Sequence, residues 1–259
     1  MNIIKKDVLI FISTIYLFGI IGVFFYYSHL DLNKALFNIS YLFLGILFFN
    51  AGWHRYFVHN SFRTSKPFAF LLYLFGSMPF IGSIIEWIDD HRNHHMHLNT
   101  DKDPTNRNKG WFYSHLGWSW HYRVLSNDKL FLNPLLAHFH KYRVIYPLIS
   151  AFFIPLAIDI ILFKESIMYS LTFSCLRVMF QQNIIALLGS ECHSPSGLDE
   201  SKNNFFVSLV CLGEGYQKNH HETPKDYRHG KLWYDLDPTK WFIFILYKLK
   251  IVWDLKYDK

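Results

Sequence analysis

Pro67-Phe68-Ala69-Phe70-Leu71-Leu72-Tyr73-Leu74-Phe75-Gly76-Ser77-Met78-Pro79-Phe80-Ile81-Gly82-Ser83-Ile84-Ile85 is long and apolar enough for hydropathy alone to count it as a membrane crossing. Its neighbours argue otherwise. The stretch separates His54 and His59 from a second cluster running from His91 to His97, and a full crossing would strand the two clusters on opposite membrane faces. If the clusters share one site, segment 67–85 must lie in the interface or re-enter. Gly76, Pro79 and Gly82 supply the breaks that such a bend needs, and non-helical backbone at membrane depth is tolerated where protein covers it. The alternative is a plain fifth helix.

Outward from it, four segments can cross a membrane completely: 8–28, 35–53, 144–163 and 167–190. Short turns around Asp31-Leu32-Asn33-Lys34 and Lys164-Glu165 join them in pairs, which predicts two antiparallel hairpins. The composition agrees: 259 residues, 51% apolar and 19% aromatic, with 26 Phe, is too oily for an ordinary soluble domain of this length. Net charge is +6, but the Lys and Arg residues cluster between the apolar stretches, which points to a lipid bilayer surface and not to nucleic acid. Cys175, Cys192 and Cys211 have no CxxC spacing and cannot all pair, so they read as reduced and structural. Lys5 and Lys6 precede an apolar run longer than a signal-peptide core, with no small-residue cleavage pattern, so the first helix is expected to stay attached.

Arg55, Arg63, Lys66, Arg92, Lys102, Arg107 and Lys109 fall on one side with Lys5 and Lys6, against only Lys34 and Lys164 on the other. The positive-inside rule then places both termini and every histidine cluster in the cytoplasm. Segments 89–143 and 192–259 are expected to form a polar, mostly helical cap, and no linker divides the chain, so 1–259 reads as one all-α integral-membrane domain.

The chain has 15 histidines, and their placement says more than their number. His91, His94 and His95, at i, i+3 and i+4 of a helix, point at one place, with His97 off that stripe. His54 and His59 would diverge by about 140° on a regular helix, so they serve two metals or sit where the helix unwinds. Adjacent His220 and His221 diverge by about 100°, which also suits two metals. Imidazole alone does not choose among Fe, Zn, Cu and Ni. Eight clustered histidines (His54, His59, His91, His94, His95, His193, His220, His221) exceed what one tetrahedral zinc uses, so a two-metal site fits better. Surface or capping roles suit His29, His115, His121, His138, His140 and His229.

At these residues the sequence resembles the membrane fatty-acyl desaturases of the stearoyl-CoA desaturase type. The resemblance covers most of the chain from about Ala51 onward. It rests on Ala51-Gly52-Trp53-His54-Arg55 with His59, on Trp87 and Asp90-His91-Arg92-Asn93-His94-His95, and on Thr100-Asp101-Lys102-Asp103-Pro104. It continues through Gly110-Trp111-Phe112-Tyr113-Ser114-His115-Leu116-Gly117-Trp118, Ser190 with His193, Gly213-Glu214-Gly215-Tyr216, Asn219-His220-His221 and Asp237-Pro238-Thr239-Lys240-Trp241. The resemblance implies four membrane helices under a cytosolic cap, a di-iron centre with O2 as co-substrate, and a kinked tunnel for the acyl chain. It also carries the eight histidines onto iron-ligand positions. Two positions depart from the family pattern. Gln217 stands where the third box begins with a histidine, and Gly189 stands where the family has an Asn that holds a metal-bound water. Gln occurs at the first position in some other membrane desaturases, so Gln217 remains a candidate for weak or water-mediated ligation.

The resulting expectation is an oxidoreductase that inserts a cis double bond, at the delta-9 position, into a long-chain acyl-CoA or acyl-lipid. Its catalytic groups would be the metal ligands alone. The rivals are a hydroxylase or oxygenase on the same scaffold and a non-catalytic metal-binding membrane protein. No fused cytochrome-like domain is evident, so electrons are expected from a separate protein of the cytochrome b5, ferredoxin or rubredoxin kind. The location would be a bacterial inner membrane or the endoplasmic reticulum. Asp90, Asp101, Asp103, Glu191, Glu214, Glu222 and Asp226 lie near the boxes and include candidates for holding the ligands' second N–H. Arg177, Gln181, Gln182 and Asn183, costly in lipid, should line a tunnel or pack between helices.

Overall fold

The computed structural model describes residues 5–28, 31–121, 124–196 and 200–258, so His29 lies outside the described residues. The first long helix, α1 (Lys6–Ser28), carries a candidate span over Lys6–Phe25. α2 (Leu32–Phe48) starts at Asp31, whose carboxylate caps the free amides of Asn33 (2.8 Å) and Lys34 (3.2 Å). It runs on without a break into a wide-turned π segment, Phe49–Val58, making a second candidate span of Leu32–Val58. The sequence expectation of 35–53 stopped short because His54 and Arg55 look like loop residues yet continue the helix.

Segment 67–85 is not a fifth span. After β1 (Arg63–Thr64) it opens as α3 (Lys66–Gly76), an 11-residue helix about 16 Å long against a hydrocarbon core of about 30 Å. It then turns at Ser77–Pro79 and passes through positive φ at Phe80 (54°) and Gly82 (95°). Ser83 caps the next helix, α4 (Ile84–His97), which carries the second histidine cluster. The breakers therefore act as the sequence suggests. Behind the π segment an aromatic stack, Trp53 on Tyr73 (5.5 Å) on Phe139 (3.8 Å), ties α3 to the later helix that holds Phe139.

Short α5 (Trp111–His115) and α6 (Pro134–Lys141) precede the third candidate span, Ile145–Phe163, in which α7 (Ile145–Leu148) and α8 (Ile154–Ile158) alternate with π turns. The fourth is α9 (Ile167–Glu191). α1 packs chiefly along α9, and the approach is close: a Cβ on Gly22 would stand 2.9 Å from Thr172 O. The polar residues of α9 face protein, as expected. Arg177 donates to Asn38 and to Ser174 (2.7 Å), Gln181 to Leu42 O (2.9 Å), Gln182 to Pro79 O (2.9 Å) and Asn183 to Tyr16 (2.7 Å). They cross-link the helices.

The polar part is built less from helix than expected. Beyond His193 the described helices are α10 (Phe205–Val210), α11 (Gln217–Glu222) and α12 (Pro238–Lys248), joined by turns rich in Gly, Pro and Asp. β2 (Val252–Trp253) returns to pair antiparallel with β1, closing the C-terminal segment over the first histidine box.

Candidate metal centre

The π segment resolves the His54–His59 problem. A ladder of i→i+5 hydrogen bonds stacks residue i+5 above residue i, and the His59 amide donates to His54 O (3.3 Å). Both rings then face one place, 4.9 Å apart. α4 brings His91, His94 and His95, the end of α9 brings His193, and α11 brings His220 and His221.

The eight rings form two groups. In the first, ring nitrogens of His54, His59, His91 and His220 lie within 4.8 Å of one another, and His95 Nε2 is 3.0 Å from His91 Nε2 and 2.9 Å from His220 Nε2. The second holds His94, His193 and His221, with Nε2 separations of 3.2 Å and 3.0 Å through His193. The helical stripe His91-His94-His95 is thus split between the groups, where periodicity alone aimed all three at one place. The adjacent pair His220 and His221 is split as its 100° divergence anticipates.

Their outward nitrogens fix the tautomers. His54 Nδ1 is 2.6 Å from Glu214 Oε2, His94 Nδ1 is 3.0 Å from Asp103 Oδ1, and His193 Nδ1 is 2.8 Å from Leu188 O. Carboxylate and carbonyl oxygens only accept, so each Nδ1 donates, which in the neutral ring leaves Nε2 with a lone pair. His94 Nε2 and His193 Nε2 face each other at 3.2 Å. Between two neutral rings such a contact is repulsive until a cation sits there. His59 Nε2 is likewise buried with no hydrogen-bond partner. The donor set fits metal ions.

Burial first, then the crowding of neighbouring imidazoles, pushes His59, His91 and His220 well below the ordinary histidine range. The same causes bring His95 to about 2 and His193 to about 3, and lower His221 as well. The rings are neutral, as ligands must be. In the unfolded chain they titrate near 6.5, so below about pH 6.5 the unfolded state binds more protons than the folded one. Stability of the metal-free protein is then fully present above that pH and is lost as pH falls, by up to about 1.4 kcal/mol per pH unit for each shifted histidine. Thermal unfolding at about pH 7.5 and about pH 5.5 should show a clearly lower midpoint in acid; equal midpoints would mean that these rings are hydrated and titrate normally.

Behind the first group lies a buried charge hub. Arg55 donates through Nε to Glu214 Oε1 (3.0 Å), through Nη1 and Nη2 to the Asp237 carboxylate (3.2 and 2.9 Å), and through Nη1 to Tyr227 O (2.6 Å). Burial alone would raise the Glu214 carboxyl, but His229, Arg55 and His54 outweigh it and hold it well below the usual carboxylate range. Gly213, at φ 106°, is required beside it, since a Cβ there would stand 2.1 Å from Asp237 Oδ1.

Of the carboxylates singled out by position, Asp103 and Glu214 hold candidate ligand histidines. Glu191 instead accepts from Trp111 Nε1 (2.6 Å), Asp226 pairs with Arg228 (2.9 Å), and Asp101 and Glu222 are exposed. Two histidines assigned to the surface are buried. His115 is hydrogen-bonded to Ser190 Oγ (2.9 Å), and His229 lies beside Glu214. Neither has a spacing signal in the sequence. Gln217 is buried and donates to Glu214 O (2.9 Å). At Gly189 a Cβ would stand 2.6 Å from Ser114 O, so α5 packs where a side chain would be.

A cavity of about 650 Å³ is lined by His54, His91, His94, His193 and Gln217 together with apolar residues such as Phe11, Phe49, Phe80 and Ile185. That volume is ample for a small ligand, and its wall is mainly apolar.

Four helices able to cross a membrane, two convergent imidazole groups and an apolar cavity beside them define a multi-pass membrane protein of the histidine-cluster kind. The family model for fatty acid desaturases matches residues 33–244, and the chain belongs to that family. It is 32% identical over 243 residues to a probable acyl-CoA desaturase of Schizosaccharomyces pombe, covering 88% of this chain and 49% of that protein. To an acyl-CoA Delta(11) desaturase of Choristoneura rosaceana it is 34% identical over 203 residues (73% and 61%), and to stearoyl-CoA desaturase 5 of Homo sapiens 32% over 228 residues (82% and 69%). The chain spans about half the length of the fungal relative.

Proposed function

We propose that the chain is a fatty-acyl desaturase, using O2 to insert a cis double bond, at the delta-9 position, into a long-chain acyl-CoA or acyl-lipid at a di-iron centre. The proposed ligands are His54, His59, His91, His95 and His220 for one ion and His94, His193 and His221 for the other. The observation that carries this is the pair of imidazole groups, with Nε2 atoms about 3 Å apart within each, on the wall of a mainly apolar cavity. When bound, the iron pair supplies the oxidising power that no side chain has. The chain's own task is to aim. The cavity wall holds methylenes beside the Nε2 atoms, while Glu214, Asp103 and Leu188 O hold the rings. Electrons come, in this proposal, from a separate small redox protein of the cytochrome b5, ferredoxin or rubredoxin kind.

Expression in a host lacking its own desaturase, followed by lipid analysis, tests the activity. New cis-monoenes support it, hydroxylated acyl chains would transfer the protein to the oxygenases, and unchanged lipids with no bound metal would remove the enzyme reading. Two helical hairpins with both termini and the histidines on the cytoplasmic face of a bacterial inner membrane or endoplasmic reticulum complete the proposal, on the strength of the Lys and Arg distribution. Reporters fused after Lys66 and after Arg92 should both report the cytoplasm. Opposite sides would break the shared site.

The second group has three imidazoles against five in the first, and Gln217 is on the wall of the cavity that both groups line. Mild chelation is therefore expected to remove one metal before the other. Gln217→Ala should widen that gap by about tenfold and Gln217→His should narrow it. Wild-type retention in Gln217→Ala would make the residue a bystander.

A further inference from the structure

We propose that His229 is a positioning residue for the first imidazole group, sharing one oxygen of Glu214 with His54 and so limiting where His54 can aim its Nε2. His229 is 1% exposed, and its Nδ1 stands 3.0 Å from Glu214 Oε2, the oxygen that also takes His54 Nδ1 at 2.6 Å. Oε1 is committed to Arg55, through Nε at 3.0 Å and Nη2 at 2.9 Å. A carboxylate oxygen can accept in two directions, so the hydrogen bond from His54 leaves Oε2 able to take His229 Nδ1 as well.

Among the described residues no hydrogen-bond partner competes for the ring: neither Nδ1 nor Nε2 of His229 makes a hydrogen bond, and Nδ1 stands 3.0 Å from Oε2. The ring cannot move far, because its own backbone is held on both sides. The amide donates to Asp237 Oδ2 (3.0 Å) and the carbonyl accepts from Asn219 Nδ2 (2.8 Å), tying the residue to the charge hub and to α11. It is wedged 4.3 Å from the His220 ring and 5.3 Å from the His54 ring. A buried imidazole with an unmet nitrogen is costly in a position that apolar side chains would fill without penalty. Removing it takes the second imidazole away from Oε2, which can then shift about the Arg55-anchored Oε1 and carry the His54 ring with it.

The proposal rests on the ligand set given above, and the test separates the two. Co(II) is titrated into metal-free wild type, His229→Ala and His229→Asn in lipid nanodiscs, read by visible absorption and metal content. The series is repeated in a His94→Ala background, which leaves only the first group intact. Two bound Co(II) ions are expected in wild type. His229→Ala should weaken the first group about tenfold or more and leave the second unchanged, as for loss of an outer-shell partner. His229→Asn, whose amide N–H falls near the Nδ1 position, should restore most of that affinity. General damage to the fold would weaken both groups together and would not be rescued by Asn. Wild-type affinities in His229→Ala, equal loss at both groups, or an Asn variant as weak as Ala would each overturn the assignment. Fewer than two ions in wild type would overturn the ligand set as well.

Discussion

Replacing His94 or His221 with alanine is expected to strip metal from the second imidazole group and take product formation below detection, while the membrane helices stay folded. That group has only three imidazoles, so each removal takes a third of its strong donors. Loss of an outer-shell partner already costs about 10–100-fold in affinity, and loss of a direct ligand from so small a set should exceed it. His94 has a second consequence. Its Nδ1 proton is held by Asp103 Oδ1, whose other oxygen accepts from the Asn99 amide (2.9 Å), so the ring also orders the loop that follows α4. The helices do not depend on it, because they are held by apolar packing and by the cross-links of α9. Iron content, circular dichroism and lipid products of the two variants check this. Full activity in either would remove that residue from the ligand set.

Arg55→Leu should be the most destabilising single change near the site, costing about 3–5 kcal/mol, a large share of a typical folding free energy of about 5–15 kcal/mol. Arg55 is fully buried between Glu214 and Asp237, and its removal leaves two carboxylates facing each other without a cation. The damage would spread, because Asp237 also caps α12 through the Lys240 amide (2.9 Å) and holds the backbone of His229 and Gly230 (3.0 and 3.1 Å). Arg55→Lys should be intermediate, keeping charge but losing the forked geometry that spans both partners. Thermal unfolding of the purified variants in detergent measures the loss. A midpoint within a degree or two of wild type in Arg55→Leu would show that the hub contributes little to stability.

Much of this protein was legible from the chain alone. The four long apolar runs, the breakers at Gly76, Pro79 and Gly82, and the eight clustered histidines, six of them at the ends of apolar segments, follow from run length and local period. Those are properties of contiguous residues. Glu214 and Asp103 were visible only as two among seven nearby carboxylates, and His229 and His115 were misplaced on the surface. The errors share a cause: burial of a polar side chain is decided by which distant element lies over it, and the sequence around His229 carries no trace of Glu214, His54 or Arg55.

By itself, then, the sequence determined the number of spans, the break between the first two histidine boxes and the identity of the candidate ligands. Each depends on backbone hydrogen bonding and hydrophobic run length within one segment. Only the tertiary structure decided how those ligands divide. His94 joins His193 across 99 positions, His54 meets Glu214 across 160, and His54 and His59 share a face because packing holds that stretch as a π helix. Such pairings are fixed by the packing of remote elements against one another, and no local period encodes them.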